Sequence, residues 1–209
     1  AEEAGACGVT LCDTNGGTVT SELISIMEDP ALHALAHCIL GIHTHNDSGM
    51  AAANSVAAVS CGADMVQGTL SGLGERCGNA DLFTVIPAIQ LKLGHSCIPE
   101  ESLRRMTDYY YMLADILNIK PSSKAPFVGR DAFSHKGGTH IDGVVKNPVT
   151  FEHVPPESVG GVRRMVLSEL SGKAAVTAKM EKLMPEVKIG QIEMRAIVEK
   201  LKEMESEGY

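Results

Sequence analysis

The sequence predicts an α/β protein, with a parallel sheet and its helices in the first half and a mostly helical second half. Short apolar runs that end in polar, glycine-containing loops alternate with helical segments over residues 1–97. Repeated strand–loop–helix units form parallel sheets, because each helix returns the chain to the edge from which the next strand starts. From residue 98 onward the apolar residues recur mainly at helical spacing. We therefore divide the chain into two predicted regions, 1–97 and 98–209.

Three strands are predicted in the first region, over 8–12, 39–43 and 65–70. The helices predicted after them span 21–27, 49–61 and 80–93. The first helix ends before Asp29-Pro30, because proline lacks the amide hydrogen that would continue it. A closed (β/α)8 barrel needs eight strands and about 250 residues. We therefore expect the chain to start inside a domain.

The second region begins with an amphipathic helix over 100–117, in which Leu103, Met106 and Tyr110 fall on one apolar stripe. An extended arm over 118–129 follows, with two prolines. The remaining predicted elements are a short helix ending at Lys146, a strand over 163–167, and helices over 172–183 and 191–207. We interpret this region as helical linker and accessory subdomains.

Composition argues against several functional classes. The chain has 209 residues, 44% of them hydrophobic, and a net charge of −8, which argues against a nucleic-acid partner. No run approaches the roughly 18 to 20 apolar residues that span a bilayer, and residues 1–4 do not resemble a signal peptide. The six cysteines are scattered without a CxxC pair, which favours a reduced, cytoplasmic protein.

The most informative stretch is His43–Asp47, at the end of the second predicted strand. Side chains two residues apart on a strand point to the same face, so His43 and His45 project together. Two neutral imidazoles form half of a divalent-metal site, and such a site needs two or more further ligands. Spacing alone leaves metal binding and a structural role for the histidines about equally favoured.

Two further polar residues follow predicted strands. The amide oxygen of Asn79 is a hard donor suited to a divalent cation, but the residue is more simply interpreted as the N-cap of the helix near Ala80. The hydroxyl of Thr14 could hydrogen-bond a substrate carboxylate, although an Asx or Ser/Thr turn explains the same stretch with fewer assumptions.

Two other motifs leave alternatives open. Glu75 and Arg76 are either an ion pair that holds the glycine-rich loop or groups that face an anionic substrate. His135 and His140 flank a lysine and two glycines. This second motif is either an acid/base and phosphate-binding loop or an exposed flexible loop.

Five sequence blocks follow one another along the chain: Leu11–Gly17, Gly41–Gly49, Gly72–Ala80, Ala132–His140 and Ser168–Lys173. In this order they resemble the metal-dependent (β/α)8-barrel acyltransferases that condense acetyl-CoA with 2-oxo acids, namely the 2-isopropylmalate, homocitrate and citramalate synthases. It covers essentially the whole chain. Three of the blocks most resemble the citramalate synthase branch, in which the oxo acid is pyruvate.

The resemblance implies a site. His43, His45 and Asn79 match the family's metal ligands, and Thr14 matches the hydroxyl that binds the oxo-acid carboxylate. His140 matches a catalytic histidine that reaches the active site of a neighbouring subunit, which implies a homodimer. The implied cofactor is a divalent cation (Mg²⁺, Mn²⁺, Co²⁺ or Zn²⁺), and the implied substrates are acetyl-CoA and pyruvate or a related 2-oxo acid.

The chain also departs from the family pattern. The family's fourth metal ligand, an aspartate on the first barrel strand, has no counterpart here, and neither does a catalytic glutamate. The tyrosine that isopropylmalate synthases place after a Val-Gly pair has no counterpart after Val159-Gly160. We therefore expect the last three strands of a barrel plus accessory subdomains, inactive in isolation. The alternatives are an isopropylmalate or homocitrate synthase, and a non-catalytic piece that only pairs with a missing first half.

Overall fold

The computed structural model describes residues 1–35, 37–166, 176–177, 180, 184, 186–187 and 189–207. The chain divides into two compact units, Ala1–Pro121 and Ser122–Tyr209. The predicted boundary between functional regions after residue 97 stays a prediction. Among the described residues, no helix has the length and apolar character that crossing a membrane requires.

The first unit is an α/β arrangement built on a parallel sheet, as predicted. Its strands are β1 (Gly8–Asp13), β2 (Ile39–Thr44) and β3 (Met65–Gln67). Its helices are α1 (Thr20–Met27), α2 (Pro30–His33), α3 (Ala51–Ser60), α4 (Leu82–Ala88), α5 (Glu100–Leu103) and α6 (Met106–Leu117). All three strands are parallel with β2 in the centre, and Cys12 and Gln67 both pair with His43 in register.

Helices α1 and α3 pack together beside the sheet and bury its core. Leu23 and Met27 of α1 lie against Leu40 and Ile42 of β2, all nearly inaccessible to solvent. The alanines of α3 allow a close approach, since Ala51 and Ala58 are fully buried. Burial of these apolar side chains is the main stabilising contribution to the unit.

Strand β3 ends at Gln67, three residues earlier than the sequence predicts. A Cβ atom at Gly68 would lie 2.6 Å from the carbonyl oxygen of Ala80, so the chain approaches that backbone more closely than any side chain permits. The next residue, Thr69, pairs with the same carbonyl. The chain therefore leaves the sheet here, and a 3-10 turn over Leu70–Gly72 follows.

Two predicted helices are subdivided. Helix α4 continues as a π-helical turn over Ile89–Leu93. The predicted helix over 100–117 is interrupted at Arg104 and Arg105, where the Arg105 amide bonds the Ser102 carbonyl three residues back and α5 ends in a tight turn. The apolar stripe survives this break, because Leu103, Met106 and Tyr110 are all buried.

The second unit contains a short parallel pair, β4 (Ser134–His135) with β5 (Arg164–Met165), besides helices α7 (Gly138–Lys146) and α8 (Gln191–Ser206). Strand β4 was not predicted from the sequence. Helix α7 buries Ile141 and Val144 on one face, and it ends before Asn147-Pro148 as expected. Most of the predicted helix over 172–183, together with the motif Ser168–Lys173, lies outside the described residues.

Candidate metal centre

The loops that follow β1, β2 and β3 meet at one edge of the sheet, because parallel strands share their carboxyl ends. Thr44, the last residue of β2, is fully buried and donates to the carbonyl oxygen of Ala51 at 3.0 Å, on the side of α3. Side chains alternate along a strand. His43 and His45, on either side of Thr44, therefore project together from the opposite face.

The two imidazoles lie close to one another. Their ring centroids are 5.0 Å apart and the ring planes are nearly perpendicular, at 86°. Nδ1 of His45 is 2.9 Å from the carbonyl oxygen of Thr14 and 3.2 Å from that of Asp13. Carbonyl oxygens only accept hydrogen bonds, so Nδ1 carries a proton, and in the neutral ring Nε2 is then the nitrogen with the lone pair. Metal-binding histidines are usually held in this way.

Asn79 lies opposite His45 in an isolated antiparallel backbone bridge. Its amide nitrogen donates to the carbonyl oxygen of Leu73 at 3.0 Å. Within the described residues, Oδ1 of Asn79 and Nδ1 of His43 are buried without a hydrogen-bond partner. Buried polar atoms are rarely left without a partner, and an amide oxygen and an imidazole nitrogen are both atoms that a divalent cation can take as ligands.

The N-cap interpretation of Asn79 is wrong. Helix α4 begins at Leu82, and its cap is Asp81, whose carboxylate accepts the backbone amide of Phe83 at 3.0 Å. Burial raises the pKa of the Asp81 carboxyl.

The described residues contain no group of three or more His, Cys, Asp or Glu side chains that could hold a metal. The candidate donors in the described part of this edge are two imidazoles and one amide oxygen.

Thr14 is exposed at the end of β1. The turn that follows is held by other side chains, since Asn15 accepts the amide of Gly17 at 2.9 Å and Asp13 accepts that of Thr18 at 3.3 Å. The Thr14 hydroxyl is thus not needed for the turn. Thr14 also lines an open depression with Cys12, Asp13, Asn15, Thr18, Asp47 and Arg76.

Arg76 makes its close ion pair with Asp47. Its Nε and Nη2 atoms donate to the two carboxylate oxygens at 2.8 and 3.0 Å, whereas Glu75 is 3.9 Å away and 90% exposed. The hydrogen bond from Arg76 lowers the pKa of the Asp47 carboxyl. The ion pair considered for Glu75 and Arg76 is thus only a long, exposed contact, and the close pair that holds the loop joins Arg76 to Asp47 instead. No local pattern in the sequence marks Asp47 as the partner, because the two residues are 29 positions apart.

The two histidines of the second unit lie in different surroundings. His135 is buried, and its Nε2 is 3.0 Å from Oε1 of Glu152. Arg163 also donates to Glu152, with Nε at 2.6 Å, and this hydrogen bond is the main reason why the pKa of Glu152 is lowered. His140 is exposed on α7 and stacks on Phe151 with ring centroids 4.3 Å apart. His135 is therefore tied into an ion-pair network, while the His140 ring is accessible.

Comparison with known proteins gives two family matches. Residues 1–109 match the family model described as HMGL-like, and residues 127–209 match one described as homocitrate synthase post-HMGL domain-like.

Individual relatives are similar along the whole chain. An (R)-citramalate synthase of Geobacter sulfurreducens is 44% identical over 209 residues, which cover 100% of this chain and 39% of the relative. That of Synechocystis sp. is 45% identical over 216 residues, again covering 100% and 39%. A homocitrate synthase of Saccharolobus solfataricus is 37% identical over 207 residues, or 97% of this chain and 42% of the relative. The chain thus spans about two fifths of the length of these relatives.

Proposed function

Since this chain belongs to the HMGL-like family, we propose that it is part of an acyltransferase that condenses acetyl-CoA with pyruvate to give (R)-citramalate and CoA. The observation that carries the proposal is the pair of imidazoles, His43 and His45, beside the unpartnered buried oxygen of Asn79. The names and the higher identity of the citramalate synthases, against that of the homocitrate synthase, support pyruvate as the oxo acid.

The architecture that we propose is the last three strands of a (β/α)8 barrel followed by a helical accessory part. Within the described residues, β3 pairs with β2 alone, so its other edge has free backbone groups. Beside this edge lies a mainly apolar cleft whose lining includes Val66 of β3, Leu82 and Ile86 of α4, and Ile98. A further parallel strand would satisfy the edge and cover these side chains. We include a homodimer and a cytoplasmic location in the proposal.

His43, His45 and Asn79 would hold a divalent cation, one of Mg²⁺, Mn²⁺, Co²⁺ or Zn²⁺. When bound, the ion supplies a Lewis acid that polarises the ketone of the 2-oxo acid. His45 is already oriented for this task, because the carbonyl oxygen of Thr14 holds its Nδ1 proton. The hydroxyl of Thr14, which the local turn does not use, would bind the substrate carboxylate.

The chemistry itself is a Claisen-type condensation. A base outside this chain would remove a proton from the methyl group of acetyl-CoA, and the resulting carbanion would attack the ketone carbon of pyruvate. Water would then cleave the thioester and release CoA. We assign His140 to the proton transfers, since histidine is the side chain that enzymes use most often for general acid–base catalysis and this ring is exposed. In the proposed homodimer, His140 of one subunit would act at the site of the other.

A chimaeric enzyme tests this function. The aligned segment of the Geobacter sulfurreducens citramalate synthase is replaced by these 209 residues, and product formation from acetyl-CoA and pyruvate is followed by mass spectrometry. We expect (R)-citramalate, and we expect its loss when His43 or His45 is changed to Ala. A matched chimaera in the Saccharolobus solfataricus homocitrate synthase, supplied with 2-oxoglutarate, should be less active.

Each other outcome favours an alternative. Higher activity in the homocitrate synthase host would favour a homocitrate-type enzyme. Turnover of 2-oxoisovalerate rather than pyruvate would favour an isopropylmalate-type enzyme. Folded chimaeras without any turnover would favour a non-catalytic piece. The 209-residue chain alone should release no CoA from acetyl-CoA and pyruvate, because one ligand and the base lie outside it.

A further inference from the structure

The carbonyl oxygen of Thr14 accepts two hydrogen bonds from different loops. Nδ1 of His45 donates to it at 2.9 Å, and Nη2 of Arg76 donates to it at 2.9 Å. A carbonyl oxygen has two lone pairs, so both bonds can form at once. The guanidinium of Arg76 is thus connected to the imidazole of His45 through a single shared acceptor.

Arg76 is itself held in one orientation. Asp47 accepts from its Nε and Nη2 in a two-point contact, which fixes the plane of the guanidinium as well as its position. The backbone of Arg76 lies at φ 54°, a left-handed conformation that non-glycine residues adopt only where surrounding contacts impose it. The residue lies in a turn closed by the Gly78 amide on the Glu75 carbonyl at 2.8 Å, and the contacts with Asp47 and Thr14 hold its side chain.

The first loop is shaped to receive this ion pair. Gly16 lies at φ 68°, and a Cβ atom at this position would be 2.3 Å from Oδ2 of Asp47. The carbonyl oxygen of Gly16 also accepts the amide of Ser48 at 2.9 Å. Arg76, in the loop after β3, therefore contacts both Asp47 in the loop after β2 and Thr14 in the loop after β1. Gly16, also in the loop after β1, lies against Asp47.

We propose that Arg76, held by Asp47, is a positioning residue that fixes the ring and the tautomer of His45 for cation binding. The inference rests on the proposed function, because it takes His45 as a metal ligand. With Arg76 in place, the Thr14 carbonyl points at Nδ1 of His45 and keeps the proton there. Without Arg76, the loop after β1 loses this anchor. Only the 3.2 Å contact with the Asp13 carbonyl then favours the proton on Nδ1, so the proton moves more readily to Nε2, which removes the lone pair that a cation needs.

The inference is tested on the 209-residue chain with two measurements. Long-range ¹⁵N–¹H spectra of the metal-free chain report the His45 tautomer, and Co²⁺ titration followed by its visible d–d absorption reports affinity and coordination. The variants are Arg76→Gln, Arg76→Lys and Asp47→Asn, the last of which breaks the ion pair without altering residue 76. The control is Arg104→Gln, which removes an exposed ion pair with Glu100.

We expect Arg76→Gln and Asp47→Asn to weaken Co²⁺ binding by about 10- to 100-fold and to shift His45 towards the Nε2-protonated tautomer. Arg76→Lys should restore binding only in part, because an ammonium group cannot reproduce the two-point contact. Arg104→Gln should change neither measurement.

An unchanged tautomer and an unchanged Co²⁺ affinity in folded Arg76→Gln and Asp47→Asn chains would overturn the inference. Failure of the proposed function looks different. If the unsubstituted chain binds no Co²⁺, the metal site itself is wrong, whatever the tautomer of His45 does in the variants.

Discussion

The side chain of Asn79 donates its amide hydrogen to the carbonyl oxygen of Leu73 at 3.0 Å. This bond fixes the orientation of the amide and leaves Oδ1 on the opposite side, buried and without a partner in the described part of the chain. Helix α4 does not use this oxygen, because the N-cap of the helix is Asp81. The proposed ligand, Asn79, and the helix cap, Asp81, are thus two different residues, two positions apart.

We predict that substitution of Asn79 affects metal affinity, whereas substitution of Asp81 affects the stability of the fold. Asn79→Ala should weaken binding of Co²⁺ or Mn²⁺ by at least about tenfold with little change in the free energy of unfolding. Asp81→Ala should lower the free energy of unfolding by about 1 kcal/mol, because it removes the N-cap, and leave the affinity nearly unchanged. Calorimetric titration and urea unfolding check both effects. Equal loss of affinity in the two variants would contradict the assignment.

Gly143 allows Phe151 to pack on helix α7 beside His140. A Cβ atom at Gly143 would lie 2.5 Å from Cε2 of the Phe151 ring. Alanine normally stabilises a helix interior by about 0.5 to 1 kcal/mol relative to glycine. We predict that Gly143→Ala instead destabilises the unit by about 1 kcal/mol, the low end for overpacking, because the Phe151 ring must move but is 44% exposed.

Two variants control this prediction about Gly143. Gly137→Ala should be tolerated, since its Cβ would meet only the His140 ring, at 3.8 Å. In a Phe151→Ala background, Gly143→Ala should become stabilising. Thermal unfolding of the unsubstituted chain, the three single variants and the double variant gives the signs, and destabilisation that persists in the Phe151→Ala background would show that another contact is responsible.

Glu152 gives the second unit a dependence on pH. Its pKa lies below the ordinary value of 4.5, first because of the hydrogen bond from Arg163 and also because of that from His135, while burial opposes them. A lowered pKa in the folded state means that the ionised carboxylate stabilises the fold at every pH above the ordinary pKa. This stabilisation is lost as the pH falls through the folded-state pKa.

We predict that Glu152→Gln lowers the free energy of unfolding at neutral pH by on the order of 2 kcal/mol, since His135 and Arg163 lose a charged partner. The difference from the unsubstituted chain should shrink as the pH is lowered from about 5 to about 3. Urea unfolding across this range checks the prediction, with the exposed Glu100→Gln as control. A constant difference between the two chains would contradict it.

The sequence predicted those features that depend on local pattern. The apolar runs located β1 and β2 within one residue at each end, and the spacing of His43 and His45 placed both rings on one face. The end of β3 was misplaced, because the close approach of Gly68 to Ala80 is a tertiary contact. No local pattern marks such a contact.

The ion-pair partners of the charged residues could not be predicted from local sequence patterns either. Arg76 pairs with Asp47 across 29 positions, and Glu152 lies between His135 and Arg163, which are 17 and 11 positions away. Glutamate beside phenylalanine at Phe151-Glu152 carries no signal for burial. Only the folded chain shows that Asp47 holds Arg76 and that Glu152 is buried between His135 and Arg163.

The central claim is that His43 and His45 bind one divalent cation together. The most direct measurement is a Zn²⁺ titration of the ¹⁵N-labelled 209-residue chain, followed through the ring nitrogens of its eight histidines. We predict that His43 and His45 shift together, saturating at one Zn²⁺ per chain, and that His45 is metallated at Nε2 while Nδ1 keeps its proton. Zinc that shifts other histidines first, or that leaves these two rings unchanged, would contradict the account.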